Sequence, residues 1–229
     1  MTVDDVKERP ILTTLSGPAA GVAGALMYEK LTDGLFFEVG GTSTDISCVK
    51  DGKVMVKYSE IGGHKTYLTS LDVRTVGIGG GSMIAIENEK IVDVGPRSAH
   101  IVGLPYEVYA NPDDMINPTV KTVKYNETDS DYVSVICENG EEYALTLTGA
   151  AMIMGYVKPG DYAFGNLEAA RKAWKPLADN NNLTVEEAAD KALKLAAKKN
   201  SKVAHELIEE YKMSKDSTIF VGGGGGASV

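Results

Sequence analysis

The placement of glycines between apolar, strand-type segments constrains the fold more than any other feature of this 229-residue sequence. An apolar run at Leu35 to Val39 is followed by the segment Gly40 to Thr44 and then by a second strand pattern at Asp45 to Val49. Asp51-Gly52 predicts a tight turn into a third strand at Lys53 to Tyr58. The order is therefore strand, glycine turn, strand, tight turn, strand.

This order excludes two common nucleotide-binding motifs, because both of them place a helix directly after the glycines. A P-loop needs Gly-Lys-Ser or Gly-Lys-Thr, and neither triplet occurs in the chain. Gly77 to Ser82 comes nearest to a dinucleotide-binding fingerprint, but serine stands where the last glycine belongs. The glycines at Gly40-Gly41 must therefore serve a strand-to-strand connection.

Helices and further strands are predicted around this unit. Ser16 to Leu31 favours a helix rich in Ala and Gly, which is thin enough to pack closely on a sheet. Alternating and β-branched residues over Thr119 to Leu147 predict a β meander, which we expect to stand out from the main core. Short helices are predicted at Thr148 to Tyr156 and at Asn166 to Trp174.

The last third of the chain predicts a long helix that leads into a buried strand. Thr184 to Glu187 is a capping box that opens a helix reaching about Met213, with a break expected near Asn200-Ser201. Ile219 to Val221 then has the pattern of a buried strand and runs directly into Gly222 to Gly226. Strands that end in glycines let backbone amides come close to a ligand.

Composition narrows the class of partner. With 23 Lys+Arg against 32 Asp+Glu, the net charge of −9 argues against nucleic acids and anionic membranes as partners. The hydrophobic fraction of 43% predicts a real core. Two cysteines, Cys48 and Cys137, are too few for a disulfide scaffold. Without a long apolar run or a secretory signal, we expect a cytoplasmic protein with no membrane partner.

Four motifs, in this order, resemble the hydantoinase A/oxoprolinase family. They are SGPAAG at Ser16 to Gly21, FEVGGTSTD at Phe37 to Asp45, LDVRTVGIGGGS at Leu71 to Ser82 and VGPRSA at Val94 to Ala99. That family includes ATP-dependent hydantoinases, 5-oxoprolinases and related subunits of acetone and acetophenone carboxylases. Four ordered motifs are far more specific than any single glycine pattern.

The resemblance implies an α/β fold, namely an actin-like ATPase (ribonuclease H-like) lobe with a mixed sheet, flanking helices and an inserted β meander. We expect the chain to be a fragment of a larger, two-lobed protein, since the covering helix after Gly226 and a strand within the first ten residues are both missing. Within the fragment, the expected segments are a phosphate-hairpin core at 1–98, a β-rich excursion at 99–165, and at 166–229 a helical segment with an adenosine-type glycine turn.

The resemblance also implies a nucleotide site. Phosphates of ATP would contact the second phosphate hairpin, formed by Gly40, Gly41, Thr42, Ser43 and Thr44, and adenosine would lie against Gly222, Gly223, Gly224 and Gly225. Closely spaced amides and hydroxyls in the hairpin suit phosphate oxygens. The family's first phosphate hairpin is absent from this sequence, so we expect the fragment alone to be inactive. A plain glycine-turn hairpin with surface hydroxyls is the structural alternative.

Carboxylates beside the hairpin suggest a metal. Glu38 and Asp45 are the candidate Mg²⁺ ligands, and Asp45 is also the candidate catalytic carboxylate that orients an attacking water. Family members usually carry Asp where Glu38 stands. Asp72 and His100 are candidates for a second divalent metal. A structural ion pair between Asp72 and Arg74 is the alternative for that pair of residues.

The family function implied for the full-length protein is ATP-dependent hydrolysis of a cyclic amide, of hydantoin or 5-oxoproline type, through phosphorylation of the amide oxygen. A second expectation within the family is a subunit of an ATP-dependent ketone carboxylase. A third, from another class, is a nucleotide-binding or assembly module without catalysis. The implied partners are the small-molecule substrate and a hydantoinase B-type subunit or domain.

Overall fold

The computed structural model describes residues 2–13, 16–61 and 64–229 and shows a mixed α/β fold, as predicted. The Gly62-Gly63 cluster lies outside the described residues. The elements of the first part of the chain are α1 (Val3–Glu8), α2 (Ser16–Tyr28), β1 (Gly34–Val39), β2 (Thr44–Lys50), β3 (Lys53–Val54), β4 (Val56–Ile61), β5 (His64–Leu71), β6 (Val73–Val76), β7 (Ser82–Glu87) and β8 (Lys90–Ser98). The later elements are α3 (Ala99–Val102), β9 (Thr119–Val123), β10 (Asp131–Ile136), β11 (Glu142–Ala144), α4 (Leu147–Ile153), α5 (Leu167–Asn180), α6 (Val185–Glu210) and β12 (Ile219–Gly223).

The chain divides into two compact units, each assembled from separated segments. The first unit contains Met1–Glu38, Asp45–Thr75 and Val203–Gly224. The second contains Val39–Thr44, Val76–Lys202 and Gly225–Val229. The glycine turn between β1 and β2 therefore belongs to the second unit, whereas its two flanking strands belong almost wholly to the first.

The first unit is built on a sheet with the strand order β12-β1-β2-β3, and β6 also pairs with β2. Asp51-Gly52 forms the predicted turn between β2 and β3, with Asp51 at a φ of 52° and Gly52 at 68°. Helix α2 packs closely on β1, because a Cβ added to Gly21 would lie 2.8 Å from the Phe36 ring. The expected thin helix is confirmed.

The second unit is built on a sheet with the strand order β11-β10-β7-β8, and β9 also pairs with β10. The predicted meander is therefore present, but it completes this sheet instead of standing out from a core. Its residues Val133 and Val135 are fully buried in the main hydrophobic cluster, together with Trp174 of α5. The meander is therefore covered because its apolar face packs in this cluster.

Helix α6 runs without interruption from Val185 to Glu210, so the break expected near Asn200-Ser201 is absent. No Gly or Pro lies within the helix, and helix-forming Lys and Ala surround those two residues. The part of the chain that the structure describes contains no helix that is both long and apolar enough to span a membrane.

Candidate functional site

The turn between β1 and β2, residues Gly40 to Ser43, is closed by its own backbone. The Gly40 N–H donates to the Ser43 carbonyl over 2.9 Å. Among the described residues, the N–H groups of Gly41, Thr42 and Ser43 have no acceptor. Three successive amides without an acceptor are available as donors to a ligand, and phosphate oxygens are common ligands of such turns. We call Gly40 to Ser43 the phosphate turn.

The hydroxyls around the phosphate turn play different parts. Thr44 is fully buried, and its Oγ1 donates to the Ile78 carbonyl over 2.7 Å, so this hydroxyl anchors the strand instead of facing a ligand. Thr42 Oγ1 lies 3.1 Å from the Ser98 hydroxyl. Thr42 and Ser43 are partly exposed. The hydroxyls available to a ligand are therefore those of Thr42 and Ser43.

A second glycine run supports the phosphate turn from behind. The Gly80 N–H donates to the Gly40 carbonyl over 2.9 Å, and the Gly81 N–H donates to the Gly41 carbonyl over 2.7 Å. A Cβ on Gly79 would lie 2.6 Å from the Gly40 oxygen and 2.8 Å from the Ser43 nitrogen. Only glycine admits so close an approach of two backbones. We call Gly79 to Gly81 the backing run.

Sequence reasoning did not anticipate this role of the backing run. It rejected Gly77 to Ser82 as a dinucleotide fingerprint and kept it only as a family motif. A cluster of glycines that fits no ligand motif is itself a signal of close backbone approach, and that signal was present at Gly79 to Gly81.

Two candidate carboxylates of the first unit flank the phosphate turn in sequence. Glu38 is partly buried near the end of β1, and its Oε2 atom is buried without a hydrogen-bond partner in the described structure. Asp45, at the start of β2, accepts a hydrogen bond from Thr75 Oγ1 over 2.5 Å. A buried, unpartnered carboxylate oxygen is costly, so Glu38 is suited to a cation or a bound water.

The closing glycine run lies where the sequence predicted. In the first unit, β12 pairs in parallel with β1, and Phe37 is opposite Gly222 and Glu38 is opposite Gly223. In the second unit, the Gly226 N–H donates to the Val39 carbonyl over 2.9 Å. The expectation that both strands share a sheet, with their glycine ends on the same side, is confirmed.

The glycines of this run differ in their structural role. Gly222 and Gly223 are the last residues of β12, and the turn begins at Gly224, whose φ of 90° favours glycine. Gly225 lies against the ring of Tyr162, which would be 2.8 Å from an added Cβ. Tyr162 is 90% exposed, so its ring is open to a ligand beside the turn.

Asp72 is the centre of a buried ion network in the first unit. Its carboxylate accepts hydrogen bonds from Arg74 over 2.8 and 3.0 Å and from Tyr211 over 2.7 Å, and it pairs with Lys57 over 2.5 Å. Burial alone would raise the pKa of Asp72, but the hydrogen bonds from Arg74, Lys57 and Tyr211 outweigh it and lower the pKa to about 2. This arrangement favours the structural interpretation of Asp72 and Arg74.

Asp72 and His100, the candidates for a second metal, belong to different units of the chain. His100 is exposed on the short helix α3 of the second unit. Cys48 is fully buried, and burial, followed by the negative charge of Asp72, raises the pKa of its thiol to about 11, as suits a core residue. Across residues 2–13, 16–61 and 64–229, no three His, Cys, Asp or Glu side chains group as metal ligands would.

Mg²⁺ beside a nucleotide does not need a cluster of three protein ligands, so the lack of such a cluster among the described residues is compatible with it. Mg²⁺ is commonly held by one or two carboxylates, together with waters and substrate phosphates. The unpartnered Oε2 of Glu38 fits such a ligand, and Asp45 is the second carboxylate next to the phosphate turn in sequence.

Comparisons with known proteins agree with the motifs. The family model described as Hydantoinase/oxoprolinase matches residues 1–229. The chain is 36% identical over 102 residues to 5-oxoprolinase of Saccharomyces cerevisiae. The matched segment is 42% of this chain and 8% of that protein. It is 25% identical over 172 residues to caprolactamase subunit alpha of Pseudomonas jessenii, which covers 73% of this chain and 20% of that protein.

A solved structure has a similar fold. Nucleotide-free acetone carboxylase, from a study of ATP-dependent acetone carboxylation, matches 90% of this chain and 26% of its own chain, with a TM-score of 0.63 and 22% identity. That likeness agrees with the α/β, actin-like ATPase fold implied by the motifs. The chain spans only a small part of the length of these relatives. Because the family model matches the whole chain, this protein belongs to the hydantoinase/oxoprolinase family.

Proposed function

We propose that this chain contributes the phosphate-binding part of an ATP-dependent hydrolase that opens a cyclic amide. The observation that carries the proposal is the phosphate turn, with its three unbonded amides and the backing run behind it. Family membership and the relatives named 5-oxoprolinase support the hydrolase class.

In the proposed reaction, the amide oxygen attacks the γ-phosphorus of ATP and ADP leaves. Water then adds to the activated carbon, and the ring C–N bond breaks as its nitrogen takes a proton, which leaves an acyl phosphate. A second water hydrolyses the acyl phosphate to a carboxylate and free phosphate. The phosphate turn would hold the phosphate oxygens through the amides of Gly41, Thr42 and Ser43. Asp45 would orient the attacking water, and Glu38 and Asp45 would hold Mg²⁺, which offsets phosphate charge.

The adenosine of ATP is assigned to the closing glycine run, Gly222 to Gly225. The parallel pairing of β12 with β1 supports this, since both strands end in glycines on the same side of the sheet. Such a site at the carboxyl ends of parallel strands is common for nucleotides in α/β folds.

A ketone carboxylase subunit is the second candidate function. It is favoured by the likeness to acetone carboxylase, and it would use the same phosphate turn to activate a different substrate. A companion subunit or domain of hydantoinase B type is proposed for either function. The relative named caprolactamase subunit alpha supports an arrangement of several subunits.

ADP release by the full-length protein, with its companion subunit, tests these alternatives. Hydantoins, 5-oxoproline and ketones with bicarbonate would be supplied in turn, and a substrate-dependent rise in ADP identifies the class. If no compound of the panel raises ADP release, a module without catalysis is favoured. Thr42→Val and Asp45→Ala should weaken ATP binding, and unchanged binding by both variants would remove the phosphate assignment. The 229 residues alone are expected to bind ATP weakly and not to hydrolyse it.

A further inference from the structure

We propose that Glu107 is the positioning residue of the phosphate turn, because its buried carboxylate fixes the start of α4 and α4 holds the backing run in place. The inference rests on the proposed function, since it assigns a purpose to the shape of the turn. It concerns contacts within the second unit only.

Glu107 is fully buried and accepts three hydrogen bonds. Its Oε1 accepts from the Thr146 N–H over 3.1 Å and from the Trp174 indole N–H over 2.8 Å, and its Oε2 accepts from Thr146 Oγ1 over 3.0 Å. Thr146 is the N-cap of α4, so Glu107 holds the residue that starts this helix. A Cβ on Gly149 would overlap the Glu107 carboxylate, so glycine is the residue that fits at this position in the first turn of α4.

A continuous series of hydrogen bonds leads from α4 to the phosphate turn. The N–H and Oγ1 of Thr148 both donate to the Gly80 carbonyl, over 2.8 and 2.9 Å. Gly80 in turn donates to Gly40, and Gly81 donates to Gly41. A shift of α4 would therefore move the backing run and, with it, the phosphate turn.

The Tyr106 side chain provides a second connection between the Glu107 segment and the phosphate turn. Tyr106 precedes Glu107, and its hydroxyl would lie 3.3 Å from a Cβ on Gly41 and would overlap a Cβ on Gly81. The segment that carries Glu107 thus touches both the phosphate turn and the backing run. Fixing Glu107 fixes the ring of Tyr106 against them.

The chemistry of the contact makes the role testable. Removing the acceptor would leave the Thr146 and Trp174 N–H groups buried without partners, which is costly. A glutamine can keep the geometry, because its oxygen accepts from both N–H groups and its amide can donate to Thr146 Oγ1. Thr146 Oγ1 already accepts a hydrogen bond from the Gly149 N–H over 3.2 Å, and its second lone pair is available to the glutamine amide. Glu107→Gln should preserve the turn, and Glu107→Leu should not.

The first experiment measures amide hydrogen exchange in the 229-residue chain, at the N–H groups of Gly80, Gly81 and Thr148. Under conditions where every variant is folded, Glu107→Leu should speed their exchange by about tenfold or more, and Glu107→Gln by less than about twofold. Glu142→Leu is the matched control, because Glu142 also accepts hydrogen bonds in this unit, from Ser134 over 2.6 Å and from Lys121 over 2.6 Å. It should leave the three amides protected.

The second experiment measures the affinity of the full-length protein for Mg·ATP and for inorganic tripolyphosphate. Glu107→Leu should weaken both by about tenfold, while Glu107→Gln stays within about twofold of wild type. Loss with both ligands would place the effect at the phosphates. Glu142→Leu should leave both affinities unchanged.

Unchanged amide protection and affinity in Glu107→Leu would overturn the inference. So would faster exchange spread evenly over the sheet with affinity intact, because Glu107 would then be an ordinary core residue. Should Glu107→Leu fail to fold, Thr148→Val removes one donor to Gly80 and carries the same expectation at Gly80 and Gly81. If wild type binds no Mg·ATP, or if Thr42→Val and Asp45→Ala both bind it normally, the proposed function fails, and the exchange experiment still decides whether Glu107 fixes the turn.

Discussion

The Gly226 N–H donates to the Val39 carbonyl over 2.9 Å, which ties the closing glycine run to the residue before the phosphate turn. The same glycine approaches Gly40, whose oxygen would lie 3.0 Å from a Cβ on Gly226. Gly226, the residue after the segment assigned to adenosine, is therefore a neighbour of the phosphate turn within the second unit. A single nucleotide can extend over neighbouring segments of this kind, and the variants below separate the two assignments.

Gly79→Ala should distort the phosphate turn. The added Cβ would lie 2.6 Å from the Gly40 oxygen, which is backbone and cannot rotate away. We expect a loss of about 1 to 3 kcal/mol in the free energy of unfolding, measured by urea denaturation, and weaker Mg·ATP binding. Gly24→Ala is the control, because it has open space in α2 and should be stabilising by about 0.5 to 1 kcal/mol. Equal effects of the two substitutions would contradict the close packing.

Gly225→Ala should separate adenosine from phosphate binding. The three atoms nearest to the new methyl group belong to the ring of Tyr162. Because that residue is 90% exposed and its ring can shift, stability should change by less than about 0.5 kcal/mol. Affinity for Mg·ATP should fall, while affinity for tripolyphosphate stays the same. Calorimetric titration of both ligands would check this. An equal loss with both would place the closing glycine run at the phosphates instead.

The buried Glu107 should make stability depend on pH. Burial raises the pKa of Glu107 from 4.5 to about 7, despite opposing hydrogen bonds from Trp174 and Thr146. Between those values the folded state binds more protons than the unfolded state, so this contribution to stability falls as pH rises from about 4.5 to about 7. Glu107→Gln lacks the effect.

The difference in unfolding free energy between Glu107→Gln and wild type should therefore grow in favour of the variant by up to about 3 kcal/mol over that window. The titratable groups whose charge couples to Glu107 are Tyr106 and Tyr109, and burial raises the pKa of each above its ordinary value. Both stay neutral in the window. Urea denaturation at several pH values gives the difference, and a constant difference from pH 4 to pH 8 would contradict the expectation.

The Asp72 network should give the opposite dependence at lower pH. With its pKa lowered from 3.8 to about 2, Asp72 stabilises the fold above pH 3.8, and this is lost as pH falls through 2. Asp72→Asn should lower the free energy of unfolding by about 2 kcal/mol at pH 7, because Lys57 and Arg74 lose their anion. Tyr211→Phe should cost about 1 kcal/mol and keep the acid dependence. Acid titrations followed by circular dichroism would compare them, and an Asp72→Asn variant as acid-sensitive as wild type would contradict the assignment.

Local sequence patterns predicted the parts of the fold that depend on neighbouring residues. The strand–glycine turn–strand unit and the Asp51-Gly52 turn are present because turn chemistry acts over two to four residues. The shared sheet of β12 and β1 was predicted from their apolar patterns. The burial expected for β12 was wrong, because Ile219 and Phe220 are more than half exposed. The pairing of β10 with β7 was missed, since strands that meet across distant parts of the chain leave no local signal. The hairpin of β4 and β5 was missed as well.

The sequence indicated the glycine turn between β1 and β2 but not the contacts that hold it. Glycines at Gly40-Gly41 indicated the phosphate turn, yet nothing local shows that the Thr44 hydroxyl faces Ile78 instead of a ligand. The role of Glu107 was not foreseen either. A lone glutamate between Tyr106 and Val108 has the sequence of an exposed loop, and only folding brings Thr146 and Trp174 to its carboxylate.

The hydrogen bonds between the phosphate turn and the backing run join main-chain atoms, so the side chains that line a substrate pocket take no part in them. Binding pockets could then diverge freely around a constant anchor. An anchor whose own hydrogen bonds use main-chain atoms is a physical means of holding one ligand group fixed while the side chains of a neighbouring pocket vary.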